Sequence, residues 1–315
     1  MVFSLPETSL AFGVTGGLHL VRPGQRPSSV TPTVFYTLKR QIYGEVAWQL
    51  FDSSGVLTGA LRAARFPGNF YGVGPATPEQ AKDDYTTRYI EALVSREWTI
   101  VGAFRVGASV HLRDEDLVAV TAGGTLASSG LAPAATYLAA GFGPVATYDD
   151  RDDLFWPTRG SLLQAWALAY AADRGRTFAR GSFAGLTFLP LGGHQALGLE
   201  AHLEAAGGDV PFTLLPTIGG PLGLRGYEAG RFRDRFLWST QAEWRFPLAW
   251  RFAGTLYGGV AGVSPGLGRI GETRPEPAGG AGLRFRLTST GLNIRLDLAA
   301  GREGGLFYAT LGEAF

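Results

Sequence analysis

The 315-residue sequence predicts an all-β, antiparallel transmembrane barrel of about 16 strands, and both composition and periodicity lead to it. Only 17% of the residues are charged, whereas soluble proteins carry charge on roughly a quarter, so much of the surface faces something other than water. Charges, glycines and prolines nevertheless interrupt every apolar stretch, and no run of roughly 18 apolar residues could form a membrane helix. Because backbone groups in lipid must be paired internally, a closed barrel is the remaining spanning fold.

Period-two alternation divides most of the chain into segments of about ten residues, separated by turns rich in glycine, proline, aspartate and serine. An even number of strands places both chain ends on the periplasmic side and the segment 207–234, after the eleventh strand, on the extracellular side. Because no linker-like break interrupts this pattern, we expect a single domain, 1–315. The predicted strands cover 9–20, 31–40, 42–52, 56–66, 84–96, 98–112, 116–127, 135–148, 160–172, 176–190, 194–206, 235–247, 251–264, 278–288, 291–300 and 305–315.

Polar and apolar side chains alternate most clearly in the predicted strands 235–247, 278–288 and 291–300. A soluble β-sandwich also alternates, but its outward face is polar, and the outward face here is not. We therefore interpret the polar face as the wall of a lumen and the apolar face as the surface that contacts lipid. The predicted lumenal residues of these strands are Ser239, Gln241, Glu243, Arg245, Arg284, Arg286, Asn293, Arg295 and Asp297.

Several aromatic residues near predicted strand ends suit the interfacial belts of a membrane barrel. Each of them is equally consistent with ordinary packing. These residues are Trp48, Trp98, Trp156, Trp250 and Tyr308.

Charge, cysteine content and histidine positions exclude several classes of function. The net charge is +1 with no basic block, so we expect no nucleic-acid binding. The chain has no cysteine, which removes disulfides and thiolate metal sites. Glu200, His202 and Glu204 alternate on one strand and could be considered zinc ligands, but alternate positions of a single strand rarely converge on one ion. We expect no metal, no cofactor and no enzyme activity, since no nucleophile motif lies near His19, His111, His194 or His202.

The longest irregular segment contains the sequence GGPLGLRGYEAGRFRD, residues 219–234. A phosphate-binding loop would continue with Gly-Lys-Ser/Thr and open a helix, and this segment does neither. Its residues Leu224, Arg225, Gly226 and Tyr227 resemble the inward-folded loop of BamA/TamA-type outer-membrane assembly factors, the bacterial surface-antigen barrel superfamily. The resemblance implies that a long extracellular loop folds into the lumen.

Two further segments are similar to the same family. Residues 149–160 are similar to the family's Asp-x-Arg-Asp and Phe-Pro-x-x-Gly signature, and a calcium loop is disfavoured because the spacing is not that of an EF-hand and an arginine lies at its centre. Residues 279–315 are similar to the last three strands, which implies that Phe315 is a β-signal residue. The resemblance assigns a periplasmic turn motif to Asp149, Arg151, Asp152, Pro157 and Gly160.

An arginine carried into the lumen by a folded loop would be costly unless a carboxylate met it. Glu243 lies on the predicted lumenal face immediately after the loop, and the loop arginine of relatives contacts acidic residues on the strands that follow. We therefore predict that Arg225 pairs with Glu243, with Asp297 as a second candidate. The alternative is a solvated Arg225 at an external loop tip.

The resemblance implies an outer-membrane protein that acts in the assembly or transport of other outer-membrane proteins. The implied partners are outer-membrane lipid and unfolded outer-membrane protein substrates. Because alternation begins within about ten residues of Met1, we expect no POTRA domain in this chain, a mature form without signal peptide, and substrate delivery by a separate periplasmic partner. Two alternatives stay open: a plugged transport pore, and a membrane-anchoring scaffold for another chain.

Overall fold

The computed structural model describes residues 2–5, 9–20, 26–38, 40–154, 156–286 and 293–311. The helices are short: α1 Thr125–Ser128 and the 3₁₀ turns Glu79–Ala81, Ala132–Ala135, Asp173–Gly175, Phe212–Leu214 and Leu267–Glu272. None of the helices in these ranges is long and apolar enough to cross a membrane. The strands are β1 Val2–Leu5, β2 Ser9–Thr15, β3 Leu18–Leu20, β4 Ser28–Thr37, β5 Ile42–Phe51, β6 Gly55–Phe70, β7 Asp83–Val101, β8 Phe104–Val120, β9 Tyr137–Asp149, β10 Gly160–Ala172, β11 Thr177–Gly192, β12 Gln195–Gly208, β13 Thr217–Ile218, β14 Phe232–Arg233, β15 Phe236–Pro247, β16 Phe252–Ser264, β17 Glu276–Arg286, β18 Asn293–Gly301 and β19 Gly304–Leu311.

One antiparallel sheet contains all strands except β13 and β14, which form a small hairpin between β12 and β15. Both β2 and β3 pair with β4 in a single continuous register, Thr15 opposite Thr33 and Leu18 opposite Val30, so they are two segments of one strand. The sheet therefore has 16 strands, as predicted. Its first and last strands also pair, and the described pairing of β1 with β19 is Ser4 opposite Ala309.

The predicted strand count is confirmed, but two errors in the predicted boundaries cancel. The prediction omitted β1, whose four residues are too few to display an alternating pattern. It also divided β7 and β8 into three strands, 84–96, 98–112 and 116–127, of which the second crosses the turn between β7 and β8. The charged run 113–116, between the last two of these predicted strands, lies within β8, where Arg113 and Glu115 form an ion pair and Glu115 is only 1% exposed.

The predicted division into lumenal and lipid-facing residues is confirmed on the strands that follow the long loop. Glu243 on β15 and Asp297 on β18 are fully buried, whereas the next residue after Asp297, Leu298, is 66% exposed. Trp250 is 82% exposed at a periplasmic turn, and its place in an interfacial belt stays a prediction, whereas for Tyr308 the packing alternative is the correct one. Tyr308 occupies a lumenal position of β19 and has no exposed surface.

The chain between β12 and β15, residues 209–235, is hereafter the lumenal loop. It turns back against the barrel wall and adds its own side chains to the interior. Burial of apolar side chains against β15 and β16 stabilises this position. The cluster consists of Ile218, Leu224, Tyr227 and Phe232 from the loop and Leu237, Ala261 and Val263 from the wall.

Candidate functional site

Arg225 of the lumenal loop reaches the barrel wall and contacts both of the predicted carboxylates. Its Nη2 donates to Oε2 of Glu243 at 2.8 Å, and its Nη1 donates to Oδ2 of Asp297 at 3.1 Å. All three side chains are completely buried. The guanidinium also lies over the ring of Tyr257, with its carbon 3.4 Å from the ring centroid, so a cation–π contact accompanies the two ion pairs.

Three more arginines from the wall surround the same two carboxylates. Arg245 Nε donates to Glu243 at 2.9 Å, Arg284 Nη1 donates to Asp297 at 2.7 Å, and Arg295 Nε lies 3.1 Å from Asp297. These groups form the buried cluster, which consists of Arg225, Arg245, Arg284, Arg295, Glu243 and Asp297. Four arginines share two carboxylates, so each carboxylate compensates more than one buried cation.

Backbone conformation brings the loop tip close to the wall beside this cluster. Gly226 has a φ of 112°, which side-chain-bearing residues rarely adopt, and a Cβ at this position would lie 2.9 Å from the carbonyl carbon of Ala300. The next residue, Tyr227, is within hydrogen-bonding distance of the Glu276 carboxylate at 3.1 Å. The glycine therefore permits the approach that places Arg225 on one side of the tip and Tyr227 on the other.

A second set of contacts joins the loop to the extracellular rim and is hereafter called the rim ties. Arg231 binds both carboxylate oxygens of Glu303, in the β18–β19 turn, at 2.6 Å each. The same guanidinium donates to the backbone oxygen of Thr77, between β6 and β7, at 2.8 Å. Glu228 accepts from Lys82 Nζ at 2.6 Å and from the Tyr71 hydroxyl at 2.8 Å. The loop thus spans the barrel opening from one wall to another.

The predicted periplasmic turn motif forms one compact turn between β9 and β10. Arg151 Nε donates to the Asp149 carboxylate at 2.9 Å, and Asp152 accepts from the Thr158 backbone and hydroxyl at 2.9 and 2.6 Å. Partial burial favours the neutral acid, but these hydrogen bonds outweigh it and hold the pKa of Asp152 below its usual value.

The remaining two residues of the turn motif fix its backbone. Pro157 is buried within the turn. Gly160 has a φ of 91°, and a Cβ there would lie 2.5 Å from the backbone oxygen of Asp150. Trp156 of the same turn links it to the buried cluster, since the guanidinium carbon of Arg245 lies 5.0 Å from the centroid of the Trp156 ring.

The considered zinc ligands do not converge. Glu200 accepts from Gln241 at 2.9 Å, His202 contacts Ser182 at 3.0 Å, and Glu204 accepts from Arg180 at 2.6 Å. The part of the chain that the structure describes contains no group of acidic residues, histidines or cysteines that could hold a metal ion. Phe315 lies outside the described residues, so its assignment as a β-signal residue stays a prediction.

The sequence predicted both carboxylate partners of Arg225 but not the other contacts of the cluster and of the loop. The alternation identified Arg245, Arg284 and Arg295 as lumenal, but it gave no reason to place them around the same carboxylates. The rim ties had no signal in the sequence, because Thr77 and Lys82 are far from the loop along the chain and meet it only through barrel geometry.

Comparisons with known proteins agree with this architecture. The family described as the Omp85 superfamily domain matches residues 81–315. The fold is similar to BamA from Haemophilus ducreyi lacking POTRA domains 1–3, with a TM-score of 0.63 and 12% identity over 99% of this chain and 69% of that chain. It is also similar to CdiB from Acinetobacter baumannii, with a TM-score of 0.60 and 11% identity over 99% of this chain and 58% of that chain. Comparison with curated protein sequences gives no match.

Proposed function

This chain belongs to the Omp85 superfamily, and we propose that it is an outer-membrane barrel that inserts or translocates other outer-membrane proteins. The partners we propose are outer-membrane lipid, unfolded outer-membrane protein substrates and a separate periplasmic chain that delivers them. The family that the Arg225 loop indicated in the sequence is confirmed by the Omp85 superfamily match over residues 81–315.

The single observation that carries this proposal is the burial of Arg225 between Glu243 and Asp297. A loop fixed in this way occupies the lumen and obstructs a straight path through it. A polypeptide substrate would then bind at the wall of the barrel and would not pass along its axis.

The wall offers such a place where β1 meets β19, hereafter the seam. Only Ser4 and Ala309 pair there among the described residues, whereas β18 and β19 pair at eight positions. An incompletely paired strand edge presents backbone donors and acceptors to another chain, which can add to the sheet as a new strand. We therefore propose the seam as the place where substrate strands pair.

Folding of an unfolded outer-membrane barrel into liposomes tests the proposal. Liposomes that contain this protein should fold the substrate faster than empty liposomes. Arg225→Ala should lose most of that acceleration, because a released loop can no longer close the seam again after a substrate strand has paired. Arg159→Ala is the matched control, because Arg159 is an exposed arginine of the periplasmic turn, with 76% of its side chain accessible. If the wild-type protein gives no acceleration, the proposed function is wrong.

A plugged transport pore is the second candidate, and the rim ties favour it. They fix the lumenal loop across the extracellular opening, where it would block the passage of solutes. In that case solute flux should rise when the loop is released, while the rate of substrate folding should be the same with or without the protein.

A further inference from the structure

The last strand is held from inside the barrel by the loop tip, through Tyr308. The Tyr308 hydroxyl accepts a hydrogen bond from the Gly226 N–H at 3.1 Å and donates one to the Tyr227 carbonyl oxygen at 3.1 Å. One phenol group on β19 thus joins two consecutive residues of the loop. Tyr308 is completely buried, so water does not replace either contact.

The turn that precedes β19 is held by the same loop. Arg302 donates its backbone N–H to the Tyr227 hydroxyl at 3.2 Å, and Glu303 receives both bonds from Arg231. Close packing reinforces these bonds, since a Cβ on Gly301 would lie 2.7 Å from the Tyr227 ring. The β18–β19 hairpin therefore contacts the lumenal loop both at its turn and along its second strand.

At the seam, β19 is held differently along its two sides. Along one side β19 is secured by β18, but along the other it meets β1 at a single described position. Because the described pairing with β1 is a single position, contacts from the lumen help to fix where β19 lies relative to β1.

We infer that Tyr308 is a positioning residue that couples the lumenal loop to the seam, so that release of the loop frees β19 from β1. This inference rests on the proposed function, because it identifies what keeps the proposed substrate-pairing edge closed. Coupling of this kind is reciprocal: a seam that is locked must also hold the loop in place.

Disulfide formation across the seam measures the coupling in the full chain, purified in detergent. The 315-residue sequence contains no cysteine, so Ser4→Cys with Ala309→Cys provides a single reporter pair. Tyr308→Phe in this background keeps the ring and removes the hydroxyl, and we expect oxidation to slow by roughly five- to tenfold.

Tyr170→Phe is the matched control, because Tyr170 is a buried lumenal tyrosine on β10 whose hydroxyl contacts His111 at 2.8 Å. Its ring packs in a cluster with Leu214 of the loop, but the substitution keeps the ring and removes only the hydroxyl. It should leave the oxidation rate unchanged. Equal rates in Tyr308→Phe and the unsubstituted reporter overturn the inference, and so does an equal slowing in both tyrosine variants.

Glu303→Gln provides a second arm if Tyr308→Phe does not give a folded, heat-modifiable barrel. It weakens the bidentate contact with Arg231 and should slow oxidation by about two- to threefold. An unchanged rate in this folded variant overturns the inference as well. None of these readouts requires a substrate, so a barrel that shows the coupling but fails the liposome assay refutes the proposed function alone.

Discussion

The lumenal loop is held by two sets of charged contacts that differ in solvent exposure. In the buried cluster Arg225, Glu243 and Asp297 have no exposed side-chain surface, whereas in the rim ties 26% of the Glu303 side chain and 40% of the Lys82 side chain are exposed. Water and salt weaken exposed ion pairs, but a buried charge that loses its partner remains desolvated. We therefore expect the buried cluster to determine whether the loop stays in the lumen and the rim ties to adjust its position.

The largest effect is expected for Glu243→Gln. Glu243 contacts Arg225, Arg245 and Arg284, so the change leaves three buried arginines with far less compensation. We expect the free energy of unfolding to fall by about 3–5 kcal/mol. Urea unfolding in lipid vesicles measures this change.

Glu200→Gln is the matched control for Glu243→Gln. Glu200 lies on the neighbouring strand β12, and its described partner is the neutral side chain of Gln241. Its replacement should lower the free energy of unfolding by about 1 kcal/mol or less. If the two variants lose the same stability, the buried cluster does not have the energetic role assigned to it.

Arg225→Ala should destabilise the barrel less than Glu243→Gln but should release the loop. Glu243 and Asp297 keep Arg245, Arg284 and Arg295 as partners, so no carboxylate becomes unpaired. Limited trypsin digestion measures the release, because cleavage after Arg231 or Arg233 requires exposure of residues that are only 3% exposed in the folded loop. We expect cleavage to accelerate by about tenfold or more.

Combining Arg225→Ala with Glu243→Ala distinguishes one interacting unit from two independent contacts. If the residues act together, the double variant should be cleaved little faster than the faster single variant. Fully additive effects on the cleavage rate would mean that Arg225 and Glu243 hold the loop separately.

Arg231→Gln should have a smaller effect, because its ion pair with Glu303 is partly exposed. We expect the loop to lose about 1 kcal/mol of stability, with a severalfold increase in trypsin cleavage after Arg233. The increase should become smaller at high salt, since salt already weakens the pair in the unsubstituted protein. If the difference in cleavage rate between Arg231→Gln and the unsubstituted protein does not change with salt, the partly exposed ion pair of Arg231 with Glu303 does not hold the loop.

Lys82→Ala should have the smallest effect. Its contact with Glu228 is the most exposed of the rim ties, and Glu228 keeps Tyr71 and Asn69 as partners. The expected loss is about 0.5 kcal/mol or less, measured by the same digestion. If Lys82→Ala lowers the stability of the loop as much as Arg231→Gln does, the two rim contacts do not differ in strength as their exposure predicts.

The buried cluster also shows how far the sequence can be interpreted. Alternation along β15 and β18 is enough to place Glu243 and Asp297 on the lumenal face, because successive strand residues point to opposite sides. Alternation cannot say which lumenal residues meet, since that depends on strand tilt and on where the loop enters. The convergence of Arg245 and Arg284 on the carboxylates that bind Arg225 therefore required the structure.

For Tyr308, the sequence did not predict the side chain's position in the lumen. An aromatic residue near a strand end fits the membrane interface as well as a packed interior, and only its parity within β19 decides between them. The predicted strand 305–315 contained the position but fixed neither its facing nor its contact with the loop. The four-residue strand β1 was missed because it is too short to alternate, so the residues that form the N-terminal side of the seam were not identified.

Ion conductance of single barrels in planar lipid bilayers tests most directly whether the Arg225 loop closes the lumen. The unsubstituted protein should remain mostly closed, with rare large openings. Arg225→Ala should open often to the large conductance, and Arg159→Ala should behave like the unsubstituted protein. If Arg225→Ala opens no more often than Arg159→Ala, the buried contacts of Arg225 do not close the barrel and the central claim is wrong.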